Sequence, residues 1–385
     1  SDSTINMGAS NVTGQLSLTS DKGDIVQTGS IVAGELVLNA GIGDIALDMN
    51  NHVGSLVVLN AGNASYTDTA GFTIGAKGIS VNGDLTLKAQ GDIIQSETLT
   101  SGVIVPGTAT FDVGKNGVVK MHGILNGEAI ALTRNKISRL MVTSAKQFRL
   151  ISNAALVIGG VNIFARDEDC NAFKILLMIN GDITQDGGIF IDAKDGYGSN
   201  TTVLFQTLNE NGNIFLKNDG LDNDIKGSVC LYNAGKGSHI VKLRNISNAV
   251  MQHIVVSTSG TETIVSLLEL DYPNSGLCPI LAGTYQPGST SKFGRISITC
   301  GGDLTQKYYD DKGNAYTRTW YVDDAGKTDP QVILKVGGKI DLTGGKYNRF
   351  SKIKIIGKGT EYTIKNINNI FLNGITTQDE QVINY

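Results

Sequence analysis

Gly14-Gln-Leu-Ser-Leu18, Gly34-Glu-Leu-Val-Leu38 and Gly54-Ser-Leu-Val-Val58 follow one another at a constant step. Each sets a glycine ahead of two apolar residues with one residue between them. Gly83-Asp-Leu-Thr-Leu87, Gly107-Thr-Ala-Thr-Phe111 and Gly127-Glu-Ala-Ile-Ala131 continue the series at steps equal to the first or somewhat longer. Alternation over about five positions reads as a half-buried strand. Two or three such strands in each repeat, broken by Gly, Asn and Asp, leave no room for a helix. Strands that recur in one frame lie parallel, each coil stacked on the last at roughly 4.8 Å. The frame therefore predicts an all-β chain over residues 1–385, a right-handed parallel β-helix (solenoid) of about 20–24 residues per coil. Leu16, Leu36 and Leu56 form one inward ladder in this reading, and Leu18, Leu38 and Val58 a second. Tandem β-sandwiches also have short strands, but would not hold so short and regular a period.

A second signature, Gly-Asp-(Ile/Leu)-x-Gln, starts at Gly23, Gly91, Gly181 and Gly302. The first two intervals approximate three and four coils, and the third points to an insertion. Strand parity places Gln27, Gln95, Gln185 and Gln306 on the same face as the preceding Ile or Leu. They are expected to point inward and bond corner backbone.

Composition narrows the function classes. The chain has 48 Gly among 385 residues without a G-X-Y period, which excludes collagen. A formal net charge of −4 gives no nucleic-acid footprint. The longest apolar runs, such as Ile175–Ile179, are too short to cross a bilayer as helices, so no transmembrane segment is expected. No signal peptide opens the sequence, which suits a mature fragment or a cytoplasmic protein. Cys170, Cys230, Cys278 and Cys300 form no C-x-x-C, and no His stands at ligand spacing from them. That argues against zinc and for free thiols. Cys278 and Cys300 stand one coil apart in this frame and are expected to be near neighbours.

Asp24 and Asp44 fall one coil apart, close to the roughly 5 Å carboxylate spacing of a retaining glycosidase. An Asp after Gly at a repeated corner is better suited to bonding local backbone. His52, His122, His239 and His253 are scattered and read as surface or turn residues, and Asp167-Glu-Asp169 as an exposed loop. No catalytic, metal or cofactor constellation is readable, so no enzyme is expected. Four of the five Pro lie between Pro273 and Pro330. The turn signals Asp311-Lys-Gly-Asn314 and Asp323-Asp-Ala-Gly326 predict a pair of β-hairpins within a 273–330 insertion. Trp320, Tyr321, Tyr309 and Tyr316, flanked by Asp310 and Asp311, are the candidate contact for a sugar or a protein, with Trp320 and Tyr321 at its centre; the other reading is a folded decoration over one flank or end of the helix core, with its aromatics buried against the coils.

The pattern G-x-L-x-L, G-D-I-x-Q and N-x-x-G-x-L resembles the repeats of filamentous haemagglutinin-like exoproteins, adhesins and contact-dependent inhibition proteins exported by two-partner secretion. Residues 10–115 carry it, including Asn50-Asn-His-Val-Gly54 and Ala70-Gly-Phe-Thr-Ile-Gly75. The resemblance implies an extracellular, bacterial cell-surface β-helical shaft that presents binding surfaces. Its partners would be a receptor or glycan on a host or neighbouring cell, and an outer-membrane secretion partner. It carries over no catalytic residue. Four Cys depart from the family's habit, and its amino-terminal secretion domain is not evident, so the chain reads as an internal segment. Two other classes are open: a carbohydrate-active β-helix enzyme, and an export or stalk segment of a polymorphic toxin.

Overall fold

The computed structural model describes residues 3–121, 134–165, 173–193, 202–218, 220–259, 263–282, 292–309, 315–317, 320–322, 329, 331–344, 348, 350, 352–357, 361–364, 371–377 and 383–384. Among them are 37 strands and no helix. The chain divides into two compact units, Ser1–Ala165 with Lys174–Gly181, and Arg166–Phe173 with Asp182–Tyr385.

In the first unit the strands stack in parallel, solenoid-like coils. Ile5, Ile25, Ile45, Ala64, Leu85, Ala109 and Leu140 are successive partners in one ladder. Three coils separate Ile25 from Leu85. Leu16, Leu36, Leu56 and Ile74 form another ladder. Leu36, Leu56 and Ile74 are fully buried, and Leu16 is half-buried. Leu18, Leu38 and Val58 also point inward. The last member of the glycine series, Gly127–Ala131, lies outside the described residues. Strict alternation fails at Val37 and Val57, which are buried although parity turns them outward. The chain at Gly75 lies over Val57: a Cβ added there would meet a Val57 methyl at 2.5 Å. Coils approach backbone to backbone at the corners. Gly41 turns with φ 60°, and a Cβ on Gly43 would meet the Gly23 carbonyl oxygen at 2.5 Å.

The second unit repeats the architecture, with longer coils as far as Val332 and shorter ones beyond it. Ile183, Ile214, Val241, Leu268, Ile296, Val332 and Ile353 are successive parallel partners. Val203, Val229, Ile254 and Pro279 form a second ladder. Every step of that ladder is longer than the expected coil of about 20–24 residues, which is therefore too short here. Parts of the expected 273–330 insertion belong to the coils: Gly276–Ala282, Ile296–Cys300 and Leu304–Thr305 sit in parallel register. The excursion is narrower. Lys307–Tyr309 and Ala315–Thr317 pair antiparallel, Tyr308 opposite Tyr316, as the first turn signal predicts. Tyr321–Val322, expected in a second hairpin, instead pairs parallel with Lys292–Phe293. Residues 323–328 lie outside the described residues.

Candidate functional site

The polar positions of the Gly-Asp-(Ile/Leu)-x-Gln signature have partners on an adjoining coil. The Asp Oδ1 accepts a backbone N–H from the next coil in all four copies: Asp24 from Asp44 at 2.8 Å, Asp92 from Val118 at 2.8 Å, Asp182 from Asn213 at 2.8 Å, and Asp303 from Lys339 at 2.7 Å. In the first unit the pattern runs on as a relay. Asp44 Oδ1 accepts from Asn63 N, Asn63 Oδ1 from Asp84 N, and Asp84 Oδ1 from Thr108 N. The Asp24 and Asp44 carboxylates, a candidate acid–base pair by spacing, are thus both engaged in binding coil to coil. The bonding is to the neighbouring coil's backbone rather than to local turn backbone.

Gln27 bonds corner backbone as expected, its Nε2 donating to Gly29 O at 2.7 Å, but corner backbone is not the partner that the four glutamines share. Each exchanges two hydrogen bonds with an asparagine of the following coil: Gln27 with Asn51, Gln95 with Asn135, Gln185 with Asn223, and Gln306 with Asn348. The four asparagines are wholly buried. Each Asn Oδ1 also accepts the N–H of the first core residue beyond the Gln corner: Ile31, Val103, Ile189 and Trp320, all at 2.8–2.9 Å. Each Nδ2 reaches the carbonyl of the apolar residue that stacks above the Gln: Leu47, Met121, Leu216 and Leu342. In three copies it also reaches a carbonyl one coil further, of Thr67, Ile151 or Arg244. One buried amide therefore satisfies groups on two or three coils. The first two copies lie on different ladders, Ile25 beside Ile45 but Ile93 between Phe72 and Val119. The intervals between signature copies thus do not mark whole numbers of coils; the signature marks a kind of corner.

The aromatic contact separates into parts. Trp320 has 0% exposure and takes the place that Ile31, Val103 and Ile189 take in the other copies. Its ring is core and offers no stacking face to a ligand, a correction to the reading that centred the contact on it. Tyr321 is half-buried. Tyr309 and Tyr316 stand on the two strands of the antiparallel pair, and Asp310 and Asp311 lie outside the described residues, as do Asp323 and Asp324.

His239 is not a surface residue, and His253 is half-buried. His239 is wholly buried, its Nδ1 2.6 Å from Gly212 O and its Nε2 3.1 Å from Gly235 O. Burial lowers the His253 imidazole. His52 Nδ1 stands 3.8 Å from the buried Asp68 carboxylate, too far for a hydrogen bond. Asp68 instead accepts from Val53 N, Ala70 N and the Tyr66 hydroxyl. Burial, with Asp68 beside it, pushes the Tyr66 phenol up. Cys230, Cys278 and Cys300 are free thiols, each pushed up to about 12 by burial. Cys278 pairs in register with His253 and Cys300 with Tyr272, so the two occupy different ladders. They are not ladder neighbours, because the coils here are longer than the step from one cysteine to the other. Cys170, His122 and Asp167–Asp169 lie outside the described residues. Among the described residues no three His, Cys, Asp or Glu side chains converge as metal ligands.

On the second unit an outward charge network crosses three coils. Lys217 Nζ lies 2.6 Å from Glu269 and 3.6 Å from Asp271; Lys242 lies 3.4 Å from Glu269; Arg244 bonds both Asp222 and Asp271. Burial raises the Glu269 carboxyl, but the two lysines outweigh it and hold it below its ordinary value. No motif signalled this network, because its partners are brought together only by the coil register.

A family described as Repeats of unknown function (DUF5649) matches residues 1–60 and again 61–121. Asp24 of the first matched copy and Asp84 of the second sit before ladder partners three coils apart, so each copy corresponds to about three coils. No curated protein matches the chain, and no solved structure does.

Proposed function

We propose that this chain is a shaft segment of a secreted bacterial surface adhesin, a right-handed parallel β-helix that holds binding surfaces away from the cell. The observation that carries the reading is where the repeated polar residues go: the signature Asp and Gln both bind coil to coil. Such a chain builds length and stiffness rather than a reaction centre. The resemblance to filamentous haemagglutinin-like repeats adds export through an outer-membrane partner, and a receptor or glycan on a host or neighbouring cell as the target. The contact surface is then borne by excursions from the coils, among them the antiparallel pair that holds Tyr309 and Tyr316.

The test is adhesion of the purified, fluorescently labelled chain to epithelial cells and to bacterial cells, with a chain lacking residues 307–319 alongside. Saturable attachment that the shortened chain loses supports the reading. Attachment to neither cell type refutes it.

A further inference from the structure

The four Gln–Asn pairs keep one geometry while the chain around them changes length. Gln Nε2 to Asn Oδ1 is 2.9, 2.8, 3.3 and 2.7 Å, and Asn Nδ2 to Gln Oε1 is 3.1, 3.0, 3.0 and 2.9 Å. Between each Gln and the core residue whose N–H the Asn accepts run residues 28–30, 96–102, 186–188 and 307–319. Between the stacked apolar residue and the Asn run residues 48–50, 122–134, 217–222 and 343–347. The short spans 28–30 and 48–50 thus begin and end on the same bonded groups as the long spans 307–319 and 122–134.

We propose that the Gln–Asn pair is a clasp that closes the coil whatever the length of chain between its bonded ends, making its corner an insertion-tolerant port. The physical basis is local. At the corner that carries Gly41 the turn closes on itself: Gly43 N–H donates to Ala40 O at 2.9 Å around Gly41, with its φ of 60°, so the turn's own geometry sets its two ends. At a clasped corner the groups at the two ends are satisfied from the neighbouring coil, through one buried amide plane. A short turn such as 28–30 adds bonds of its own, Thr28 N–H to Met7 O and Ser10 N–H to Ser30 O, but its ends stay held by the clasp when the span is longer, and the loop entropy added grows slowly with length. The inference holds whatever the chain binds.

Three variants of the full chain test it by thermal melting followed by circular dichroism. In the first, Thr-Gly-Ser, the sequence of residues 28–30, replaces residues 307–319. In the second, the 307–319 sequence replaces residues 28–30 between Gln27 and Ile31. In the third, that same 307–319 sequence replaces Ile42 in the unclasped corner. The first two are expected to melt within about 3 °C of the parent, and the third at least about 8 °C lower. A first or second variant that melts as low as the third overturns the proposal. So does a third variant that melts with the parent, because the corner would then need no clasp.

Discussion

Replacing Asn223 by alanine removes one side chain and strands five groups. Asn223 Nδ2 serves Gln185 Oε1 at 3.0 Å, Leu216 O at 3.1 Å and Arg244 O at 2.9 Å, while its Oδ1 receives Ile189 N–H at 2.9 Å and Gln185 Nε2 at 3.3 Å. Asn223 and Gln185 are both buried. A buried group left unpaired costs about 1–3 kcal/mol. The groups will not all remain orphaned, since the space vacated admits water and Gln185 can turn. A total of about 3–5 kcal/mol follows, at the severe end for a single substitution. For a unit of this size that lowers the melting temperature by roughly 6–20 °C. A urea titration of Asn223→Ala, Gln185→Ala and the double variant measures the coupling, expected at about 1–3 kcal/mol for contacting residues. The reasoning is refuted if Asn223→Ala costs less than about 1 kcal/mol. Asn223→Leu with Gln185→Leu, which removes both polar partners, should still leave the Ile189 N–H and the two carbonyls unpaired and recover only part of the loss.

Four further outcomes are expected. Leu36→Ala, in the middle of a fully buried ladder, should cost about 2–5 kcal/mol by denaturant titration, and a change below about half a kcal/mol would mean the ladder is misassigned. Trp320 should emit at short wavelength and resist iodide quenching in the native protein; ready quenching would return the ring to the surface. Because burial pushes the Cys278 and Cys300 thiols up to about 12, a disulfide reagent at pH 8 should label them only after unfolding, and non-reducing mass spectrometry should find no bridge between them. Glu269 has a depressed folded pKa, so its contribution is present above its unfolded value of about 4.3 and is lost as pH falls through the folded one. Lys217→Met should shrink the stability lost between pH 5 and pH 3 by about 1 kcal/mol or less, whereas an unchanged acid profile would remove the pair from the account.

What could be read in the chain before its structure follows from how locally each feature is written. The Leu36 and Leu56 ladder was legible because period-two alternation and the constant glycine step lie within one window of sequence. The burial of Val57 was not, since the segment that covers it comes from Gly75, on a later coil. The Gln of each clasp stood out within its short signature. Its Asn did not, because the offsets of 24, 40, 38 and 42 absorb corner segments of unrelated length. Trp320 was misplaced for a related reason. Its neighbours by sequence are Tyr, Arg and Asp, and these suggested a surface, while its neighbour in the fold is Asn348. In the second unit the coils lengthen, as the steps through Val203, Val229, Ile254 and Pro279 show, and the glycine frame that revealed the first unit loses its beat there.

The corner relay also has a direction. In each link the side chain belongs to the earlier coil and the amide to the later one: Asp24 receives Asp44, Asp44 receives Asn63, Asn63 receives Asp84, and Asp84 receives Thr108. A finished coil therefore holds out an empty acceptor at the height where the next backbone must arrive, and the arriving segment brings its own acceptor for the one after. Register is copied forward, in the order in which a ribosome makes the chain. A strand displaced by one residue would meet the acceptor with the wrong amide, and the mistake would be felt at once by the coil being laid down rather than at the end of the stack. Such a chain can assemble as it emerges, each turn proofreading its successor, with no need for its two ends ever to meet.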